Sequence, residues 1–200
     1  MTWKDFGSIV LENDAVRLRA LTHDDRAALR VIAFDPDIWR YFVAQVASED
    51  DLGRFLETAV ADIRAGRRAV FGVIDKRTGR LAGSMAYGNP AEADKRIEIG
   101  WSWLGREFRG THLNSATKYL LLEYAFEAMG CERVEFKTDV LNLQARAGLQ
   151  KIGAIEEGVL RSYNVMPGGR RRDAIYYSVL RAEWPHVKQA LAARATTARS

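Results

Sequence analysis

One segment, Arg96–Asn114, carries the residues best suited to chemistry. Its sequence, RIEIGWSWLGREFRGTHLN, reads as a strand, a short loop and the start of a long helix, with the turn at Arg109-Gly110-Thr111. The first turn of a helix exposes unpaired N–H groups and a partial positive charge, so such a turn suits a phosphate. An ordinary strand-to-helix connection is the plainer account of the same residues. Within the strand, alternation puts Glu98, Gly100 and Ser102 on one face, opposite Ile97, Ile99 and Trp101. A carboxylate beside a gap left by small residues is suited to general-base work. A solvated carboxylate, or one paired with Arg96, is the alternative.

The elements that must hold these groups follow from periodicity and capping. Val16–Leu21 alternates as a strand, and Thr22 with Asp25 forms a capping-box-like pair ahead of a helix. Ser48 with Asp51 repeats that signature before a helix to about Ala65. Ala69–Asp75 and Arg80–Tyr87 read as strands joined at Lys76-Arg77-Thr78-Gly79. Asn89-Pro90 breaks the pattern before the strand Arg96–Leu104. Leu113–Met129 is the strongest helix, with Leu113, Ala116, Leu120 and Tyr124 on one stripe and Gly130 at its end. Glu132–Asp139 is a strand and Leu141–Ile152 a short helix closed by Gly153. Ala154–Tyr163 and Asp173–Leu180 are strands across a loop holding Pro167-Gly168-Gly169. Glu183–Arg194 is a final amphipathic helix, and residues 195–200 are expected to fray. Helices among mostly hairpin-linked strands indicate an α/β sandwich around a central sheet.

Composition bounds the function classes. Two hundred residues, 48% of them hydrophobic, suit one domain with a substantial core. No apolar run reaches membrane-spanning length, and the first residues lack the pattern of a secretory signal, so a cytoplasmic protein without a membrane partner is expected. Cys131 is the single cysteine, and His23, His112 and His186 are scattered, so no metal site is expected. A net charge of +4 and a pI near 9.3 mildly favour anionic partners. No sustained basic helix or aromatic–basic alternation accompanies them, so nucleic acid is not expected as a partner.

Several motifs then run in register with one family. Glu98-Ile99-Gly100-Trp101, Arg109-Gly110-Thr111, Lys118-Tyr119-Leu120-Leu121-Leu122 and Tyr124-Ala125-Phe126-Glu127 come first. Asn142, Lys151-Ile152-Gly153-Ala154, Glu157-Gly158-Val159-Leu160-Arg161, Asp173, Tyr177-Ser178-Val179-Leu180 and Glu183-Trp184 follow. In order and spacing the chain resembles the Gcn5-related N-acetyltransferase (GNAT) superfamily, in its RimJ/RimL-like branch, from about Val16 to Val187.

The resemblance implies a mixed, mostly antiparallel seven-stranded sheet, splayed at its centre and flanked by helices. It implies acetyl-CoA as cosubstrate, with the pantetheine arm along the strand ending at Trp103-Leu104 and the pyrophosphate on the turn after it. The implied contacts are Trp103, Leu104, Arg109, Gly110, Thr111, His112, Leu113, Asn114, Ser115 and Asn142. Two small positions of the family turn are held here by His112 and Asn114. The His112 ring either turns away from the ligand or meets the phosphates, and Asn114 is a candidate helix cap. Glu98 matches the glutamate that deprotonates the amine in several members, and Asn142 reaches the sulfur region.

The proton donor for the leaving thiolate departs from the family. The tyrosine seven residues after Asn142 is replaced by Leu149, and the serine three residues after it by Ala145. Water near Asn142 is then the expected source. The acceptor is expected between Phe34–Phe42 and Tyr163–Arg172. There Asp35, Asp37, Trp39, Tyr41 and Phe42 could receive a cationic amine, or the aromatics simply pack in the core. Arg170–Arg172 favour an acidic peptide or mark a polar hairpin tip. The implied activity is acetyl transfer to a primary amine, on a protein N-terminus or a small molecule. A catalytically weak or inactive acyl-CoA-binding domain is the alternative, and a homodimer is left open.

Overall fold

A computed structural model describes Trp3 and residues 7–197, with side chains through Ala192. The chain opens with β1 (Leu11–Glu12) and β2 (Val16–Ala20), whose Val16 and Leu18 are fully buried while Arg17 faces out. The Thr22 N–H donates to the Asp25 carboxylate at 2.9 Å, as the capping signature predicts, and Arg19 pairs with the same carboxylate. Helix α1 (Arg26–Ala33) follows, then the short α2 (Pro36–Trp39). Helix α3 (Glu49–Arg64) begins at Ser48, whose hydroxyl accepts from the Asp51 N–H.

Strands β3 (Arg68–Asp75), β4 (Arg80–Ala91) and β5 (Arg96–Leu104) form an antiparallel run. The expected break at Asn89-Pro90 does not end β4: the strand continues to Ala91, with Asn89 in the left-handed region at φ 49°. Helix α4 (Leu113–Glu123) leads to β6 (Arg133–Asp139), α5 (Leu143–Lys151), β7 (Ile155–Val165), β8 (Arg171–Leu180) and α6 (Trp184–Thr197). Of the tail expected to fray, the helix includes residues up to Thr197, and 198–200 lie outside the described residues. Among the described residues no helix is long and apolar enough to cross a membrane.

The unbroken helix expected over Leu113–Met129 widens into a π turn at Tyr124–Ala128. The buried Tyr87 hydroxyl explains it: it donates to the Leu121 carbonyl and accepts from the Ala125 N–H, so it sits inside that rung of the ladder. Gly130, at φ 71°, then ends the segment as expected.

The strands make one sheet in the order β1-β2-β3-β4-β5-β6-β8-β7. The two-residue β1 brings the total to eight against the expected seven. Every pairing is antiparallel except β5 with β6, which extends only over Arg96–Glu98 and Arg133–Glu135. Beyond Glu98 the two strands part, β5 staying with β4 and β6 with β8 as far as Asp139. A β-bulge lies where β5 leaves: Ser84–Ala86 opposes Gly100–Trp103, with Trp101 at φ 50°. The sheet is therefore splayed at its centre, as expected, and the segment rich in chemical groups lines the opening.

Candidate active site

Two cavities occupy the opening and share part of their walls. The first, about 230 Å³, is bounded by Trp103 and Leu104 at the end of β5, by Arg109 and Gly110, and by Asn114 on α4. The second, about 440 Å³, is bounded by Asn89, Glu98, Trp101, Lys137, Tyr163 and Arg172. Tyr41, Phe42, Ser102, Lys118, Asn142 and Ala145 belong to both.

The turn that opens the first cavity is built from its own side chains. Arg109 donates through Nε to the Leu104 carbonyl at 3.0 Å and through Nη2 to Asp35 at 2.8 Å. These two bonds tie the arginine to the end of β5 and to the start of α2. Asp35 is also committed as the N-cap of α2, accepting from the Asp37 N–H, so of the two acidic residues considered for a cationic amine only Asp37 lines a cavity. Gly110 has φ 73°, and nothing lies within 4 Å of where its Cβ would be. That conformation suits glycine, and it leaves the backbone open to approach. The backbone N–H groups of Gly110, Thr111 and His112 have no protein acceptor among the described residues. His112 holds the N-cap position of α4 without a side-chain cap, and the Thr111 hydroxyl just ahead of it accepts from the Leu113 N–H at 3.3 Å and donates to the Phe108 carbonyl. Asn114 is thus not the cap; it sits in the first helical turn and lines the cavity. His112 is exposed beside the turn and bounds neither cavity. Ser115 donates to the His112 carbonyl, and Leu113 is buried in the core.

Glu98 is 4% exposed, neither solvated nor paired with Arg96, which bonds Glu135 instead. Asn89 Nδ2 donates to Glu98 Oε2 at 2.7 Å, and Lys137 Nζ lies 3.5 Å from the same oxygen. A Cβ at position 100 would come within 3.1 Å of Oε1, so Gly100 provides the gap beside the other oxygen. The expected alternation fails at Trp101. Gly88 pairs with Glu98 across β4–β5, and a Cβ on Gly88 would strike the Trp101 ring at 2.3 Å. The bulge has turned that indole onto the Glu98 face, where the Arg68 guanidinium lies 4.9 Å from the ring centroid.

Asn142 caps α5, its Oδ1 accepting from the Ala145 N–H at 3.0 Å, and it stands where the two cavities meet. Ala145 and Leu149 line the walls there, so neither supplies a proton. Trp39 is a core residue, donating to the Ala33 carbonyl and packing on Phe42, Phe55 and Trp103, whereas Tyr41 and Phe42 border the cavities.

Arg170–Arg172 are not a uniform hairpin tip. Arg170 bonds the buried Asp139 and Arg171 bonds Ser162, while Arg172 is 7% exposed in the wall of the second cavity. Its Nε has no hydrogen-bond partner, its Nη1 reaches the Tyr41 carbonyl only at 3.5 Å, and burial pushes its pKa down. Sequence reading also passed over Lys118. It follows Asn114 by one helical turn, on the same face, and in the sequence it stood only within the motif Lys118-Tyr119-Leu120-Leu121-Leu122. Burial lowers its pKa to about 8.

A sheet parted between two parallel strands, with a helix-start turn at one mouth and a buried carboxylate at the other, is the architecture of the splayed-sheet acyltransferases. Comparison with known proteins agrees. The model of a family described as an acetyltransferase (GNAT) domain matches residues 15–155. The Bacillus subtilis (strain 168) protein named "Putative ribosomal N-acetyltransferase YdaF" is 31% identical over 148 residues, 73% of this chain and 78% of that protein. A GCN5-related N-acetyltransferase from Brucella melitensis superposes with a TM-score of 0.86 at 26% identity, covering 93% of this chain and 85% of that one. Mycobacterium smegmatis RimJ, in complex with CoA-disulfide, shares the fold with a TM-score of 0.78 at 23% identity over 90% and 89% of the two chains. The chain belongs to the GNAT family and is an N-acetyltransferase of that family.

Proposed function

We propose that the protein moves the acetyl group of acetyl-CoA to a primary amine, on a protein N-terminus or a small molecule. The observation that carries this reading is the meeting of the two cavities where β5 leaves β6, with the open turn at Gly110 on one side and Glu98 on the other.

The residues present fit the cosubstrate. The free amides at Gly110–His112 suit the pyrophosphate, and the buried Trp103 Nε1, which has no partner, is a donor in the wall where the pantetheine arm would run. Leu104, Asn114 and Asn142 complete that wall, while Arg109, Leu113 and Ser115 hold the turn and helix start in shape. The thioester supplies an activated acetyl group. Glu98 takes the amine proton, held in orientation by Asn89 and Lys137, and Asn142 offers its amide N–H groups near the sulfur. That the RimJ structure holds CoA-disulfide supports CoA as the group this fold receives.

A volume of about 440 Å³ suits a small amine or the first residues of a peptide. The unpartnered Arg172 Nε supports an acceptor with an oxygen near its amine, as the first carbonyl of a protein N-terminus has. The naming of the YdaF relative as ribosomal points the same way. We place the enzyme in the cytoplasm, as a single transferase unit with its core at about 16–187. Exposed Ile155, Val159, Leu160 and Val165 on the edge strand β7 support pairing with a second copy. Acyl-CoA binding without catalysis is the second reading, favoured by Ala145 and Leu149 in place of a proton donor. A transfer screen over peptide N-termini and small amines separates the two: amine-dependent thiol release supports transfer, and CoA binding without release supports the second reading.

A further inference from the structure

The departing thiolate needs a proton, and the two positions that supply it elsewhere in the family hold Ala145 and Leu149. We propose that Lys118 is the general acid of this enzyme, giving the proton to the sulfur of CoA as the acetyl group leaves. The inference rests on the acetyl-transfer reading above and names a residue for its unfilled step.

The argument is first one of place. Lys118 is among the few residues common to both cavities, together with Asn142 and Ala145. The thioester must lie where the cavities meet, because the cosubstrate fills one and the amine reacts from the other. Lys118 projects from the second turn of α4, on the same face as Asn114, so the helix that begins at the phosphate turn carries this amine to the reacting end of the site.

Its state is the second argument. Lys118 is 7% exposed and makes no ion pair or side-chain hydrogen bond among the described residues. Lysines are rarely buried so fully without a partner, because losing hydration disfavours the ammonium. That loss of hydration alone lowers its pKa to about 8. A lysine titrating there is still largely protonated at neutral pH, yet far readier to release its proton than one in water, as a general acid must be. The ionisable groups in the same walls are Asp37, Glu98, Tyr41, Tyr163, Arg109, Lys137 and Arg172. The carboxylate of Glu98 is already engaged by Asn89 and Lys137.

The step balances without any further reactant. The amine nitrogen bonds to the acetyl carbon and its proton passes to Glu98. The carbon–sulfur bond breaks, sulfur takes the electron pair, and the Lys118 ammonium protonates it. Solvent then returns a proton to Lys118 and removes one from Glu98.

The test uses Lys118→Met in the full chain, with transfer rate, CoA affinity and melting temperature measured together. Methionine fills the space without a buried amine, so the variant should melt at or above the wild-type temperature and bind CoA within about threefold. Its kcat should fall by roughly 10²-fold or more, the usual scale for losing a general acid. The fall in wild-type kcat above about pH 8 should vanish in the variant. Adding Ala145→Ser to Lys118→Met should recover part of the rate, since it restores a hydroxyl in the same wall. A Lys118→Met enzyme with wild-type kcat overturns the proposal, as does an unchanged alkaline limb. Loss of CoA binding would make Lys118 a cosubstrate contact and would equally overturn it. A wild-type protein that neither binds CoA nor transfers acetyl would instead overturn the reading on which the proposal stands.

Discussion

Asn89 Nδ2 donates to Glu98 Oε2 at 2.7 Å from a residue whose own backbone is held at φ 49°. The residue at positive φ thus holds the carboxylate that faces the second cavity. Asn89→Gly should relieve the backbone, because glycine takes positive φ freely, while removing the amide. Stability should stay within about 1 kcal/mol of wild type and turnover should fall by roughly tenfold, with CoA affinity unchanged. Thermal melts and steady-state kinetics check this, and an unaltered kcat would remove Asn89 from the positioning of Glu98.

At the other mouth, Gly110 combines φ 73° with empty space where a side chain would begin. Gly110→Trp should abolish the rise in melting temperature that CoA gives the wild type, because a ligand bound only to the folded state stabilises it by mass action. The ligand-free variant should lose only about 1–2 kcal/mol, the scale of forcing a side chain into that conformation. A full CoA shift in the variant would move the phosphate site elsewhere.

Arg172 is predicted to act on the acceptor and not on the cosubstrate. Arg172→Met should raise KM for a peptide acceptor roughly tenfold or more, as expected for losing a hydrogen bond from a charged group. Its kcat and its affinity for CoA should change little. Equal KM values for variant and wild type, across peptides and simple alkylamines, would leave Arg172 as a wall residue only.

Lys118 also makes a prediction about stability alone. Its folded pKa of about 8 lies below the ordinary 10.5. Below pH 8 both folded and unfolded states hold the proton, and the destabilisation by the buried ammonium is present in full. Between pH 8 and 10.5 the folded state has lost the proton while the unfolded state keeps it, so unfolding takes up a proton and becomes harder as pH rises. Relative to Lys118→Met, the wild type should therefore gain stability over that window, by up to about 3 kcal/mol. Denaturant melts of the two proteins at pH 7.5, 9 and 10 measure it; a constant difference would show that the lysine is not desolvated.

Much of this was readable from the chain because it rests on local rules. Ser48 with Asp51, Thr22 with Asp25, and the alternation of Arg96–Leu104 are short-range signals, and the elements they predict are present. That an open turn and a strand carboxylate border one opening was equally legible, since both lie in one segment. What escaped depends on contacts between distant segments. Period-two alternation cannot anticipate the bulge that moves Trp101 onto the Glu98 face, nor the Tyr87 hydroxyl that opens the helix at Ala125. Arg172 looked like one of three hairpin-tip arginines, and Lys118 entered only as the first residue of a family motif, with no role attached. Only the parting of β5 from β6 makes both of them cavity walls.

The most direct measurement of the central claim is a joint one: thiol release from acetyl-CoA and mass-spectrometric detection of the acetylated amine, for wild type and Glu98→Gln, over peptide N-termini and small amines. Wild type should release one thiol for each acetylated amine, and Glu98→Gln should be slower by about 10²-fold or more while binding CoA normally. Thiol release that never depends on an amine, or a Glu98→Gln enzyme as fast as wild type at every pH, would contradict the account.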